Sequence, residues 1–326
     1  MKRLWSRKAC SNIIRVSFVL AILLGIVCFT VLEARAAVHY VKHDASGSNT
    51  GSSWTDAFNL LQSALDGAGS GDEIWVAAGT YYPTSDDGLD IGDRGKHFKM
   101  KNGVGIYGGF AGTETARDQR NWNSHVTILS GDIGTEGDDG DNCYHVIFND
   151  TETLDASAVI DGFTITGGNA NHDSDDLHKS GGGFYNSSAS ITVSNCVIRE
   201  NSADNTGYGG GMCNYYSDPT ITDCVFENNT NDYMGGGMLN SYSNPTVTNC
   251  RFENNAAAYG GGMESYSYSN PIITNCAFIR NTAFYDSTGS GGGMEFYHFS
   301  SPVIMNCKFI GNQSDNAGGG IESGYP

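Results

Sequence analysis

Gly235-Gly236-Gly237-Met238-Leu239-Asn240-Ser241-Tyr242-Ser243-Asn244-Pro245-Thr246-Val247-Thr248-Asn249-Cys250-Arg251-Phe252-Glu253-Asn254-Asn255 recurs, nearly unchanged, on both sides of its own position. Triple glycines begin at Gly181, Gly209, Gly235, Gly260, Gly291 and Gly318, so the spacings run 28, 26, 25, 31 and 27 residues. Pro219, Pro245, Pro271 and Pro302 keep the same register, as do Cys196, Cys224, Cys250, Cys276 and Cys307. Five residues after each cysteine stands Asn201, Asn229, Asn255, Asn281 or Asn312. A repeat of this length marks an array of stacked units, none of which buries its apolar face alone.

Within a unit the apolar residues alternate and are β-branched or aromatic, which selects strands over helices. Leu239 is the only leucine between Gly181 and Pro326, so a leucine-rich solenoid is excluded. The expected fold is therefore all-β, a right-handed parallel β-helix solenoid with an N-terminal capping helix. Its inward positions should stack like on like, ~4.8 Å apart. The expected ladders are Val193, Ile221, Val247, Ile273 and Ile304; the five cysteines; Ile198, Phe226, Phe252, Phe278 and Phe309; and Phe184, Met212, Met238, Met263, Met294 and Ile321. Asn195, Asp223, Asn249, Asn275 and Asn306 form a polar line at a turn, where amides can hydrogen-bond along the axis.

The Phe-x-x-Asn and Gly-Gly-Gly-Met words, as in Phe226-Glu227-Asn228-Asn229 before Gly235-Gly236-Gly237-Met238, resemble the repeats of chlamydial-type polymorphic outer-membrane proteins. The resemblance covers about half of the chain and implies a pectin-lyase-like right-handed β-helix displayed on a cell surface. That architecture hosts adhesins, lyases and glycosidases alike, so it implies a fold and leaves the function to the site.

The chain opens with Lys2, Arg3, Arg7, Lys8 and Arg15, continues apolar from Val16 to Leu32, and reaches Ala34-Arg35-Ala36. This reads as a secretory signal over residues 1–36, with no membrane-spanning segment after it. Residues 37–150 then form the N-terminal cap and irregular first coils, and 151–326 the regular repeats. The last unit, from Gly318 to Pro326, stops before its Thr-Val-Thr-Asn-Cys half, which reads as truncation. Without residues 1–36 the formal charge moves from −18 to −23, because six basic residues and one acidic residue leave. Such a charge excludes nucleic acid and anionic membrane as partners.

In the cap, Ser52 or Ser53 starts the expected helix, Ser53–Asp66, with Trp54, Phe58, Leu61 and Leu65 on one face. Asp72–Tyr81 reads as the first strand of the stack, followed by strands at 97–101, 104–107, 127–129 and 144–148.

Three places carry candidate chemistry. The acidic loop with Asp138, Asp139 and Asp141 is the candidate calcium site, and no other cofactor is expected. The insertion His172-Asp173-Ser174-Asp175-Asp176-Leu177-His178 reads as a solvated loop with the residue types of a metal site. Glu264 and Glu295, with Glu322, share one repeat position expected to face outward, where stacked carboxylates in water repel by only about 1 kcal/mol. Beside them stand Tyr242, Tyr266 and Tyr297, and rings next to carboxylates suit sugars and protein interfaces. Tyr242, Glu264, Tyr266, Glu295 and Tyr297 are thus the expected ligand-binding residues. The expected protein is secreted or on a bacterial outer membrane, adhesive, and bound to a glycan or a host or cell-surface protein. The competing class is a polysaccharide lyase or glycoside hydrolase acting on acidic polysaccharide, for which Arg199, Arg251, Arg280 and Lys308 are the basic candidates.

Overall fold

The computed structural model describes residues 36–85, 93–150, 153–172, 177–204, 206–284 and 286–324. Nearly all of the expected signal segment lies outside them, as do Asp173, Asp175 and Asp176 of the insertion. No helix among the described residues is long and apolar enough to cross a membrane.

Among the described residues every strand pairing is parallel, and the strands assort into sheets of nine, eight, seven and six strands. One coil visits all four. Met238–Ser241 lies in the seven-stranded sheet, Thr246–Thr248 in the nine-stranded, Arg251–Glu253 in the eight-stranded and Ala256–Ala257 in the six-stranded. Met263 then pairs with Met238 and the next coil begins. The chain is a parallel β-helix, as the repeat requires.

The inward ladders fall where the spacing places them. Val247 pairs with Ile221 and Ile273, Phe252 with Phe226 and Phe278, and Met238 with Met212 and Met263. All of these side chains are fully buried. The phenylalanine rings stack 4.7 and 4.8 Å apart within 6° of parallel, so the strand spacing coincides with a favourable ring separation. Cys143, Cys196, Cys213, Cys224, Cys250 and Cys276 are buried free thiols, and Cys307 is half-buried and free. Burial pushes the Cys143 thiol up to about 12.

Polar lines hold the corners. Asn201, Asn229, Asn255 and Asn281 are fully buried, each giving its Nδ2 to the Oδ1 of the next residue, through Asn312, at 3.0–3.1 Å. The exposed line 195–306 adopts left-handed backbone, φ 51° to 57°. Asparagine tolerates that conformation better than most residues, because its short polar side chain bonds locally. A third line escapes the sequence reading: Asn149, Asn186, Asn214 and Asn240, bonded at 2.9–3.0 Å inside the seven-stranded sheet. It ends at Asn240, whose Nδ2 has no partner because the next rung is Ser265, whose Oγ is likewise unpartnered. At the glycine corner, Gly235 has φ +71°, and a Cβ on Gly210 would meet the Thr230 carbonyl at 2.0 Å, so neither position accepts a side chain.

The N-terminal part differs from expectation in three ways. The helix is Leu61–Gly67, seven residues with no side-chain cap, and Ser53 instead accepts from Asp56 N in a turn. The reason lies at Phe58, whose N–H and carbonyl both bond to the strand Val38–Val41 and its edge, at Tyr40 O and Lys42 N. A residue tied on both sides to a strand cannot sit inside a helix, so the helix starts after it. The stack itself begins earlier than 72, because Val38–Val41 pairs with Glu73–Ala77. The segment 97–101 contributes only a bridge from Phe98 to Ile147, and the strand expected at 104–107 runs Gly105–Phe110. Leu61, Ala64 and Leu65 are buried in the same apolar core as Val41 and Ile74, which covers the first coil as a cap must.

Candidate functional site

Strand alternation sends every second residue of the seven-stranded sheet away from the core. Phe148, Tyr185, Cys213, Leu239, Glu264, Glu295 and Glu322 form that outward line, in register coil by coil. It does not face open water. The residue before each triple glycine forms a line of its own, Tyr208, Met234, Tyr259, Ser290 and Ala317, joined by parallel bridges. Met234 packs against Phe148, Tyr185, Cys213 and Leu239, which make a second apolar cluster outside the main core.

Under this cover Glu264 is 1% exposed and Glu295 7%, so the expectation of solvated outward carboxylates is corrected. Both side chains do leave the core side of the sheet; the covering line then excludes water from them. Burial, and next to it the charge of Glu295, holds the Glu264 carboxyl well above the ordinary carboxylate range. Its Oε2 has no hydrogen-bond partner. Burial also raises Glu295, against which Ser290 Oγ donates to its Oε2 at 2.8 Å. Tyr233, Met234, Tyr259 and Tyr297 join the two carboxyls around a cavity of about 280 Å³. Over the apolar half lies a cavity of about 350 Å³ lined by Tyr185, Tyr208, Cys213, Tyr215, Leu239 and Tyr266, among others.

The five expected ligand-binding residues therefore separate. Tyr266 and Tyr297 stack 6.2 Å apart at the edge of the trough. Tyr242 belongs to a different line on the corner beyond it, with Tyr216, Tyr268 and Phe299. Successive rings there are stacked at 4.8, 6.1 and 5.1 Å, and all four are 40–57% exposed. All four also have left-handed backbone, φ 48° to 61°. Bulky residues pay roughly 1–2 kcal/mol for that conformation, which neighbouring corners meet with asparagine. Tyr215, edge-on to Tyr216 at 4.5 Å, joins this ridge to the apolar half of the trough.

Other candidates resolve differently. Asp138 accepts from Gly140 N at 2.9 Å, Asp141 from Thr135 N at 2.7 Å, and Asp139 lies 3.4 Å from Asn142 Nδ2. In this glycine-rich loop Asp138 and Asp141 bond to the loop's own backbone amides. Among the described residues no group of three or more His, Cys, Asp and Glu side chains is placed to hold a metal ion. His178 is not solvated but 4% exposed, stacked 5.5 Å from Phe148 and tilted against His145 at 5.1 Å. Burial holds the His145 imidazole well below its ordinary range. Arg251 and Arg280 both hydrogen-bond to Glu253, and Arg251 lies 3.9 Å from Glu227. Paired guanidiniums of this kind are not free bases.

Residues 145–325, more than half of the chain, match the family model described as the right handed beta helix region. The chain belongs to that family, which gives the solenoid its hand. Among solved structures it is similar to one described as "Crystal structure of pectate lyase Pel9A", at 14% identity and TM-score 0.43, over 84% of this chain and 78% of that one. It is also similar to a rhamnogalacturonan lyase, at 15% identity and TM-score 0.35, over 89% of this chain and 63% of that one. These likenesses concern the fold alone. No curated protein matches the chain in sequence.

Proposed function

We propose that this protein is a secreted or surface-displayed β-helix that binds glycan chains along its axis. The aromatic ridge Tyr216, Tyr242, Tyr268 and Phe299 carries the reading. Four large rings stand exposed on consecutive coils, in a backbone conformation that disfavours them, where asparagine serves other corners of the same coils. Strain kept in this way points to a use outside stability. Because neighbouring rings cover one another's faces, the ridge offers a sugar chain a continuous line of ring edges and phenolic hydroxyls along the axis, and the neighbouring trough offers further hydroxyls. The pairing of Arg251 and Arg280 with glutamates speaks against those residues as lyase bases.

Replacing Tyr216, Tyr242 and Tyr268 together by Asn separates binding from folding. Retention on immobilised polysaccharides should fall about tenfold or more, while the melting temperature holds or rises because Asn suits the left-handed corner. Unchanged retention on every polysaccharide bound by the wild type overturns the reading. Release of unsaturated sugars or reducing ends from an acidic polysaccharide by the wild type replaces it with the lyase or hydrolase class.

A further inference from the structure

The ridge leaves the two buried carboxyls unexplained, and stability does not explain them either. A carboxyl withdrawn from water without a partner destabilises a fold. Glu264 is 1% exposed, its Oε2 lacks any hydrogen bond, and it lines the 280 Å³ cavity. Around it stand Glu295 from the next coil, Met234 and Tyr259 from the covering line, Tyr233 just before Met234, and Tyr297. One rung further stands Glu322, and on the other side Leu239 precedes Cys213. Among the described residues no lysine, arginine or histidine lines the cavity.

Two carboxyls, three tyrosine rings and the Met234 thioether make the chemistry of a cage for an organic cation, in which ring faces and sulfur accept the positive group. We propose that this cavity takes an ammonium group, a primary or methylated amine, between Glu264 and Glu295 with its carbon stem against Tyr233, Tyr259 and Tyr297. The ammonium supplies the hydrogen bond that Glu264 Oε2 lacks and the counter-charge that the pair lacks. An amino sugar and a lysine side chain carry the same group. Calcium fits less well, because it takes about six to eight oxygen ligands and the cavity offers two carboxyl groups beside rings. The cavity is separate from the exposed ridge, so this inference stands independently of the glycan reading.

Proton linkage gives the sign of the pH effect. Burial and mutual repulsion favour the protonated carboxyls, whereas the ammonium favours the ionised ones. Binding therefore releases protons, and affinity rises with pH until the amine itself loses its proton. The test is titration calorimetry of the full chain, with glucosamine against N-acetylglucosamine and Nα-acetyl-lysine amide against its Nε-acetylated form. Each titration is run at mildly acidic and mildly alkaline pH, in buffers of unlike ionisation heat. At least one free amine should bind and its acetylated partner should not, with a heat that changes with the buffer. Glu264→Gln and Glu295→Gln should each weaken binding about tenfold or more. Tyr297→Leu, which leaves both carboxyls, serves if the amide variants do not fold, and should weaken it severalfold. Binding by glucosamine alone assigns the amine to a sugar and by the lysine compound alone to a protein. The triple Asn variant of the ridge should bind the amine as the wild type does. No binding of either amine, equal binding of the acetylated forms, unchanged affinity in the variants, or the same response to calcium or sodium chloride alone overturns the proposal.

Discussion

Leu239 and Glu264 occupy adjacent rungs of one line, yet they divide the trough into two halves of opposite chemistry. From Phe148 to Leu239 the outward side chains are apolar and pack beneath Met234 as a second small core. From Glu264 to Glu322 they are carboxyls, two of them buried and Glu264 as deeply as the leucine beside it. The change is matched on the inner side of the same strands, where the asparagine line stops at Asn240 and Ser265 takes the next rung. A stacked fold favours like upon like because each rung sees almost the same surroundings. A break in both lines at one coil boundary therefore marks a place where the chain departs from its own repeat. The apolar half stabilises the solenoid, whereas the acidic half holds carboxyls whose burial destabilises it.

Moving the boundary should have the largest effect. Leu239→Glu extends the acidic half by one rung into the apolar cluster and should destabilise the protein by about 2–3 kcal/mol, read by urea unfolding at neutral pH. A variant as stable as the wild type would mean that water already reaches the apolar half. The opposite change, Glu264→Leu, continues the apolar line and should stabilise by about 1–2 kcal/mol at neutral pH while removing amine binding. If it destabilises, the carboxyl has a structural partner and the two halves are not opposed in role.

Next in size is the pH dependence. The Glu264 carboxyl titrates above its ordinary value of 4.5, so the folded state holds more protons than the unfolded one above that value. Its contribution to stability is complete below pH 4.5 and is lost as pH rises towards the raised value, with a slope of at most about 1.4 kcal/mol per pH unit. Glu264→Gln should flatten that part of the urea-midpoint profile, and an unchanged slope would assign it to other groups. Smallest is Ser265→Asn, which restores the broken inner line. An amide on that rung accepts from Asn240 Nδ2 and should add about 1 kcal/mol. No gain would show that the boundary coil has a geometry of its own.

The sequence determined the solenoid through the register of its repeated words. The Val247, Phe252 and Met238 ladders were legible because strand alternation and the coil period together set which side chains stack. The amide line at Asn249 and Asn275 was legible for the same reason, whereas Asn229 and Asn255 were legible as a repeat position but not as a buried hydrogen-bonded line. Tyr242, Glu264, Tyr266, Glu295 and Tyr297 were expected on one open face, whereas the structure puts Tyr242 on the ridge, Tyr266 and Tyr297 at the trough edge and the two carboxyls under cover. Alternation says which side of the sheet a residue leaves from; it does not say what covers that side. A sequence signal for the cover existed in Tyr208, Met234 and Tyr259, each just before a triple glycine, but glycines mark only where the chain turns. Whether the turned segment lies over Glu264 or away from it depends on bridges between coils, which are long-range contacts. The capping helix shows the same limit, since its helical face was read correctly from Leu61 and Leu65 but its start was set by the strand that claimed Phe58. Local spacing therefore decided the fold and its ladders, whereas only the packing of one coil against the next decided which carboxyls lose their water.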